Sequence, residues 1–342
     1  ERARLTETPA PAEAAPAAKD AAGTRSPKTR GASLPYEADA MAVGDFDGVG
    51  KPQAVLASGS TIRLYAYPVL DSHPLVEAAI PGTGLRIVGL SSGRLDGDSR
   101  DSLFVSVYDA VFDRFETRVM KVDSGKWLKT AELPYLTRSY QDGTGAEVLG
   151  TQQILDDRTF PLGRIYPLVY KDGRYAQGRP ELPYRRADWL FGFTTVKVAP
   201  DEVVPAYLTS SHALRLQFKG KSWRTAEGDY GQTPVRVRWK GRLLEFNPPM
   251  TAAYGPDGGL KALYAARNLP ALGGLAAPFG LFNRAQLRCL SWNGLGLDAS
   301  WTADLPGSVQ GLALVRTASG GEELAVAIRG SAGTSSVWTF EP

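Results

Sequence analysis

Glu132-Leu133-Pro134-Tyr135 decides the fold, because the chain repeats it. Variants stand at Ser33-Leu34-Pro35-Tyr36, Ala79-Ile80-Pro81-Gly82, Glu181-Leu182-Pro183-Tyr184 and Asp304-Leu305-Pro306-Gly307. Pro35 to Pro81 is 46 positions, Pro81 to Pro134 is 53, and Pro134 to Pro183 is 49. Self-similarity at roughly 40–50 residues marks the blades of a propeller. After each block an apolar run, a turn and a second apolar run follow. Met41-Ala42-Val43-Gly44 leads to Ala54-Val55-Leu56, Ile87-Val88-Gly89-Leu90 to Leu103-Phe104-Val105, and Leu312-Ala313-Leu314-Val315 to Leu324-Ala325-Val326. In the second unit, residues 117–122 and 127–131 add two more strands across a turn at Gly125. Proline suits the step between units because it offers no ladder donor where pairing must stop.

The spacing therefore predicts an all-β propeller of four-stranded antiparallel blades. Between Pro183 and Pro306 lie 123 positions, room for two large blades or three small ones. Two gives six blades, with residues 235–246 as an inserted hairpin and 269–282 as a long Gly/Pro loop; seven is the alternative. The last unit is one strand short, since residues 309–315, 323–329 and 335–340 are followed only by Glu341-Pro342. Lys28-Thr29-Arg30-Gly31-Ala32-Ser33-Leu34-Pro35-Tyr36 resembles the outer-strand stretch Trp127-Leu128-Lys129-Thr130-Ala131-Glu132-Leu133-Pro134-Tyr135, yet no blade precedes it. Residues 28–34 are thus expected to close the ring as the missing outer strand, which removes two open edges.

Residues 1–27 have another character. Pro9-Ala10-Pro11-Ala12 and Ala14-Ala15-Pro16-Ala17-Ala18 alternate with charges and carry almost no large apolar side chain. Such a stretch buries too little surface to offset its ordering entropy, so a disordered linker over 1–27 and a propeller over 28–342 are expected. A linker ahead of a domain suggests tethering through a removed N-terminal domain or anchor.

Val43-Gly44-Asp45-Phe46-Asp47-Gly48-Val49-Gly50-Lys51-Pro52-Gln53-Ala54-Val55 resembles the FG-GAP (VCBS-type) repeat of integrin-like propellers. Gly93-Arg94-Leu95-Asp96-Gly97-Asp98-Ser99-Arg100-Asp101-Ser102-Leu103-Phe104 is a second copy in register, so the resemblance covers about residues 37–130. It implies calcium in the acidic loops, roles in adhesion, ligand binding or assembly, and, for bacterial members, a place outside the cytoplasm. Calcium takes six to eight oxygen ligands. The motif supplies carboxylates at its first, third, fifth and ninth positions; here each loop keeps two, Asp45 with Asp47 and Asp96 with Asp98. Val49 and Gln53 replace the others in the first loop, Arg94 and Ser102 in the second. These four aspartates are the candidate metal ligands, against the reading that they only shape tight turns.

Charge and catalytic inventory narrow the function. Lys and Arg number 39 against 36 Asp and Glu, so bulk charge calls for no nucleic acid. No apolar run reaches the ~20 residues of a membrane-spanning helix. The lone Cys289 allows no internal disulfide, and His73 and His212 lack partners at metal spacing. Gly89-Leu90-Ser91-Ser92-Gly93 matches a nucleophile elbow but leads into a turn, not a helix. Asp156-Asp157 would point to opposite faces of a strand. Gly273-Gly274 lacks the context of a phosphate loop. Period two places Arg236, Arg238 and Lys240, with Arg242 beyond the turn, opposite Val235, Val237 and Trp239. This basic face, with Lys219, Lys221 and Arg224 near, is either a solvated edge or a docking surface for a protein partner or anionic polymer.

The reading that follows is a binding or scaffolding propeller, without catalytic residues or cofactor, of the bacterial cell envelope or extracellular space, periplasmic or outer-membrane associated. The alternative is a propeller hydrolase or lyase with its site at the central channel mouth. Titratable side chains converging in the channel from several blades would distinguish them.

Overall fold

A computed structural model describes residues 23–156, 162–179, 189–218, 221–231, 233–256, 258–271, 277–317 and 320–342. Six four-stranded antiparallel sheets form the blades of a β-propeller. Blade 1 is β2 (Ala40–Gly44), β3 (Gln53–Ser58), β4 (Thr61–Ala66) and β5 (Val76–Ala79). Blade 2 is β6 (Leu85–Gly93), β7 (Ser102–Asp109), β8 (Arg114–Asp123) and β9 (Lys126–Leu133). Blade 3 is β10 (Leu136–Gln141), β11 (Glu147–Ile154), β12 (Leu162–Lys171) and β13 (Arg174–Gln177). Blade 4 is β14 (Phe193–Ala199), β15 (Glu202–Leu208), β16 (Leu214–Phe218) and β17 (Lys221–Arg224). A separate hairpin, β18 (Arg236–Trp239) and β19 (Arg242–Glu245), leads to blade 5: β20 (Thr251–Tyr254), β21 (Leu260–Pro270), β22 (Phe282–Trp292) and β23 (Leu297–Leu305). Blade 6 is β24 (Gly307–Arg316), β25 (Glu322–Gly330), β26 (Ser335–Phe340) and, from the other end of the chain, β1 (Thr29–Arg30).

The first strand of each blade is innermost: β2 touches both β6 and β24, and β10 touches β6 and β14. Inner strands are flanked by blades on both sides, which explains continuous apolar runs such as Gln53–Ser58, buried nearly throughout. Outer strands keep one wet face, so β5 and β9 alternate. The core sits between blades, as where Val55 and Leu64 of blade 1 meet Leu90 and Val105 of blade 2.

Closure occurs as the C-terminal deficit implied. Thr29 pairs with Thr339 and Arg30 with Trp338. Leu34 and Ser335 exchange two backbone hydrogen bonds (2.7 and 3.1 Å), and the Leu34 side chain is fully buried. Lys28 Nζ lies 2.5 Å from Glu323. The paired chain reaches further back than residue 28. Thr302 N–H donates to Gly23 (3.0 Å), Arg25 N–H donates to Thr302 (2.7 Å), and the Arg25 guanidinium lies over Trp301. Residues 23–25, which composition assigns to the linker, thus use the open edge of β23. The rest of that linker, residues 1–22, lies outside the described residues.

Candidate functional site

In an antiparallel blade, loops joining strands two and three lie at one end of the ring, together with the steps between blades. Loops joining strands one and two lie at the other end. Both acidic loops are at this second end. Asp45 N–H donates to Asp101 Oδ2 (2.7 Å) and Asp101 N–H donates to the Asp45 carbonyl (2.8 Å), which latches blade 1 to blade 2. Asp45 Oδ2 accepts Gly50 N–H, and Arg94 reaches both Asp45 (3.6 Å) and Asp101 (3.3 Å). Asp47 accepts Val49 N–H and the Gln53 amide (3.1 and 2.8 Å), so the residue at the ninth position satisfies the carboxylate directly.

In the second loop Lys121, from β8, inserts its ammonium between Asp96 (2.6 Å) and Asp98 (2.8 Å). Its hydrogen bond, with the Arg100 backbone N–H, holds the Asp98 carboxyl well below the usual range. Burial alone would pull the Lys121 ammonium down; the hydrogen bonds to Asp96 and Asp98 outweigh it and raise the group. Each loop has two candidate carboxylates, and the chain's own cations and amides already engage most of their oxygens; Asp45 Oδ1 is buried without a hydrogen-bond partner among the described residues. Among the described residues no group of three His, Cys, Asp or Glu could hold a metal.

The basic hairpin lies across the first end of the ring. Trp239 donates to the Asp113 carbonyl of blade 2 (3.1 Å) and Lys240 pairs with Asp156 of blade 3 (2.8 Å). Glu245 lies 3.1 Å from His212 of blade 4, and Arg236 donates to the Ala277 carbonyl of blade 5 (2.7 Å). Val237 and Trp239 face inward and join Phe115, Phe191 and Phe246 in an aromatic plug, with Phe191 and Phe246 at 4.8 Å. The sequence-predicted basic residues therefore separate. Arg236 is internal, paired with Glu245 (3.2 Å) and placed over Phe282. Arg238 is exposed, Lys240 is exposed but paired, and Arg242 is half-buried. Among the described residues neither Arg238 nor Arg242 has an acidic partner. Lys219 lies outside the described residues.

Exposed apolar side chains flank this hairpin, a feature the sequence did not flag. Val111 and Phe112 stand on the β7–β8 loop, Leu243 on β19, and Phe279 and Leu281 on the β21–β22 loop; Phe112 is 71% and Phe279 78% exposed. Arg284, exposed and without an acidic partner among the described residues, follows at the start of β22.

Below the plug, a cavity of about 80 Å³ lies on the ring axis, with Leu90, Arg138, Gln141, Glu147, Thr251 and Leu312 among its walls. The partly exposed residues Val43, Gln141, Glu147 and Leu314 place its mouth at the acidic-loop end. Arg138 is 8% exposed; its Nη1 donates to the Asn247 carbonyl (2.7 Å) and its guanidinium stacks on Phe191. Burial draws it down to about 9, so it is still a cation at neutral pH. Glu147 is reached by solvent at the mouth but crowded by protein; that crowding pushes its carboxyl up, against a hydrogen bond from Ser139 that lowers it. Arg138 has a legible signal: β10 reads Leu-Thr-Arg-Ser-Tyr-Gln where β2 reads Ala-Met-Ala-Val-Gly.

The remaining candidates have structural roles. Ser91 lies within β6, buried, and accepts Ser139 N–H (2.9 Å) across the blade gap. His73 is exposed beside Asp71. Burial pushes the Cys289 thiol up to about 11, so it is not a reactive thiolate. Asp157 and Gly273-Gly274 lie outside the described residues.

The site and ring define a six-bladed β-propeller with a hairpin-capped end. No protein-family model and no curated protein sequence matches the chain. Solved propeller structures do. One, a putative oxidoreductase (glucose dehydrogenase) from Thermus thermophilus, is 15% identical, with 93% of this chain and all of that one covered and a TM-score of 0.49. Another, BBS1N in complex with ARL6DN, is 12% identical, with 89% and 79% covered and a TM-score of 0.42.

Proposed function

We propose that this chain is a non-enzymatic binding propeller that docks a partner protein on its hairpin-capped end, through a segment carrying acidic and apolar side chains. The carrying observation is the coincidence there of exposed Phe112, Phe279, Val111, Leu281 and Leu243 with Arg238 and Arg284, which have no acidic partner among the described residues. Several large apolar side chains exposed beside charge at one end of a fold are the kind of surface that interaction sites use. The cation charge selects an acidic partner and speeds its encounter. The channel supports the non-enzymatic reading over a hydrolase or lyase. Its titratable wall residues, Arg138, Tyr140 and Glu147, come from one blade, and no histidine or second carboxylate accompanies them among the described residues. The two acidic-loop repeats favour a degenerate FG-GAP/VCBS-type propeller, working outside the bacterial cytoplasm and tethered through its N-terminal side.

A photo-reactive residue at position 238 would identify the partner by cross-linking. The purified pair is then titrated. Phe112→Ser and Phe279→Ser should each weaken binding about tenfold, the scale of a buried aromatic anchor, and Arg238→Glu should flatten the salt dependence. Unchanged affinity in all three variants, or binding of a polyanion such as heparin with no protein cross-link, would refute the reading.

A further inference from the structure

The Arg138 guanidinium is the least accountable charge in the ring. Taking a cation out of water is costly unless a counter-charge or a full set of hydrogen bonds replaces the hydration. Arg138 offers five N–H donors, and only Nη1 uses one, on the Asn247 carbonyl. No carboxylate lies within 4.0 Å among the described residues. None of its other nitrogens is among the buried, unpartnered side-chain atoms of the described residues, and Arg138 forms part of the wall of the axial cavity.

Glu147 does not neutralise it. In the β10–β11 ladder Arg138 pairs with Gly150 and Gln141 with Glu147. Side chains an odd number of positions apart point to opposite faces of a strand, so Arg138 and the Gln141–Glu147 pair face opposite ways. Arg138 accordingly meets Phe191 on the blade 4 side, whereas Ser139 meets Ser91 of blade 2. One acid and one base therefore border the same cavity without meeting: the base deep, the acid at the mouth.

We propose that the axial cavity binds a small carboxylate compound, its carboxylate on Arg138 and a hydrogen-bond donor, best an ammonium, towards Glu147. The guanidinium fork matches a carboxylate in geometry as well as charge. The volume fits a small occupant: about 80 Å³ against roughly 10–15 Å³ for one water on the same measure. Ser91, Thr251, Leu90 and Leu312 also line the wall, which is thus part polar and part apolar. The aromatic plug shuts the far end, so exchange runs past Glu147.

The purified chain is titrated calorimetrically, and its melting temperature followed, with sodium acetate and with glycine, against sodium chloride at matched ionic strength. Acetate should saturate in the millimolar range and raise the melting temperature by roughly 3–5 °C at a hundredfold excess over its Kd. Glycine should bind more tightly than acetate, and chloride should add nothing beyond ionic strength. Arg138→Lys keeps the charge, loses the fork and should weaken acetate at least tenfold. Glu147→Gln should remove the preference for glycine. An equal response to chloride and acetate, or wild-type acetate affinity in Arg138→Lys, overturns the site. Glycine binding no tighter than acetate overturns the part assigned to Glu147. Arg138→Met should abolish binding, and should it fail to fold, the wild-type and Arg138→Lys titrations decide.

Discussion

Replacing Gly31 by alanine probes ring closure with a single methyl group. Gly31 lies between β1 and Leu34, where its N–H donates to the Val337 carbonyl (3.0 Å). A Cβ there would stand 2.3 Å from the Val337 oxygen and 2.5 Å from the Val69 oxygen, both backbone atoms held by their own strands. The closing segment must therefore lift. Lifting it breaks the Gly31–Val337 bond and strains its neighbours, Ala32 N–H to Val69 (2.9 Å) and the Leu34–Ser335 pair. Two to three hydrogen bonds at about 1 kcal/mol each give a loss of about 2–3 kcal/mol. Gly23→Ala is the control: it too pairs through its backbone, but its Cβ meets nothing within 4 Å. Urea denaturation of both variants, with hydrogen exchange at Leu34 and Ser335, reads the result. Gly31→Ala should shift the midpoint and expose both amides; Gly23→Ala should stay within about 0.5 kcal/mol of wild type. Equal stability in the two variants would refute closure by this segment.

Removing residues 1–22 should leave the melting temperature unchanged, whereas removing 1–36 should lower it steeply, because the second deletion takes β1 and the buried Leu34; differential scanning calorimetry compares them. A chelator should not move the melting temperature of the wild-type chain, and Lys121→Met should both destabilise it and create a stabilising response to added calcium. Because the folded Asp98 carboxyl is held below its ordinary value of 3.8, the stability it contributes is complete above that pH range and lost as pH falls below it. Lys121→Met should therefore start with a lower urea midpoint near pH 6 and lose less of it between pH 6 and pH 2 than the wild type does, as midpoints across that range would show. Gly89→Ala puts a Cβ 2.5 Å from the Phe191 ring and should cost about 1–3 kcal/mol in denaturant titrations, by overpacking the plug.

The fold was legible because its signals are local and repeated. Leu133-Pro134 and its copies at Pro35, Pro81 and Pro306 stand just ahead of blades, while the copy at Pro183 lies outside the described residues, and the missing last strand and the orphan first one are both visible as counts. The pairing of Lys121 with Asp96 and Asp98 was not, since it depends on which side chains of β8 reach a loop more than twenty residues away. The alternation of residues 235–239 correctly divided a buried from a basic face. What the alternation could not convey is that the hairpin caps the ring, with Arg236 turned into the protein. Phe112 and Phe279 stand on loops of different blades, and only the assembled ring brings both to its hairpin-capped end. Arg138 stood in plain view at an inner-strand position, but its isolation from the carboxylates of the described residues is a property of five blades at once.

The union of β1 with β26 also orders events in time. Thr29 and Thr339 are separated by almost the whole chain, so their contact is among the most non-local the molecule makes. Non-local pairing forms late, after the entropy of a long loop has been lost. During synthesis the first strand made must therefore wait, unpaired, until the last is available. In that interval β23, β25 and residues 23–34 all present free edges to neighbouring chains. The charges on Arg25, Lys28 and Arg30 would keep the waiting segment apart from other nascent copies until its own partner emerges.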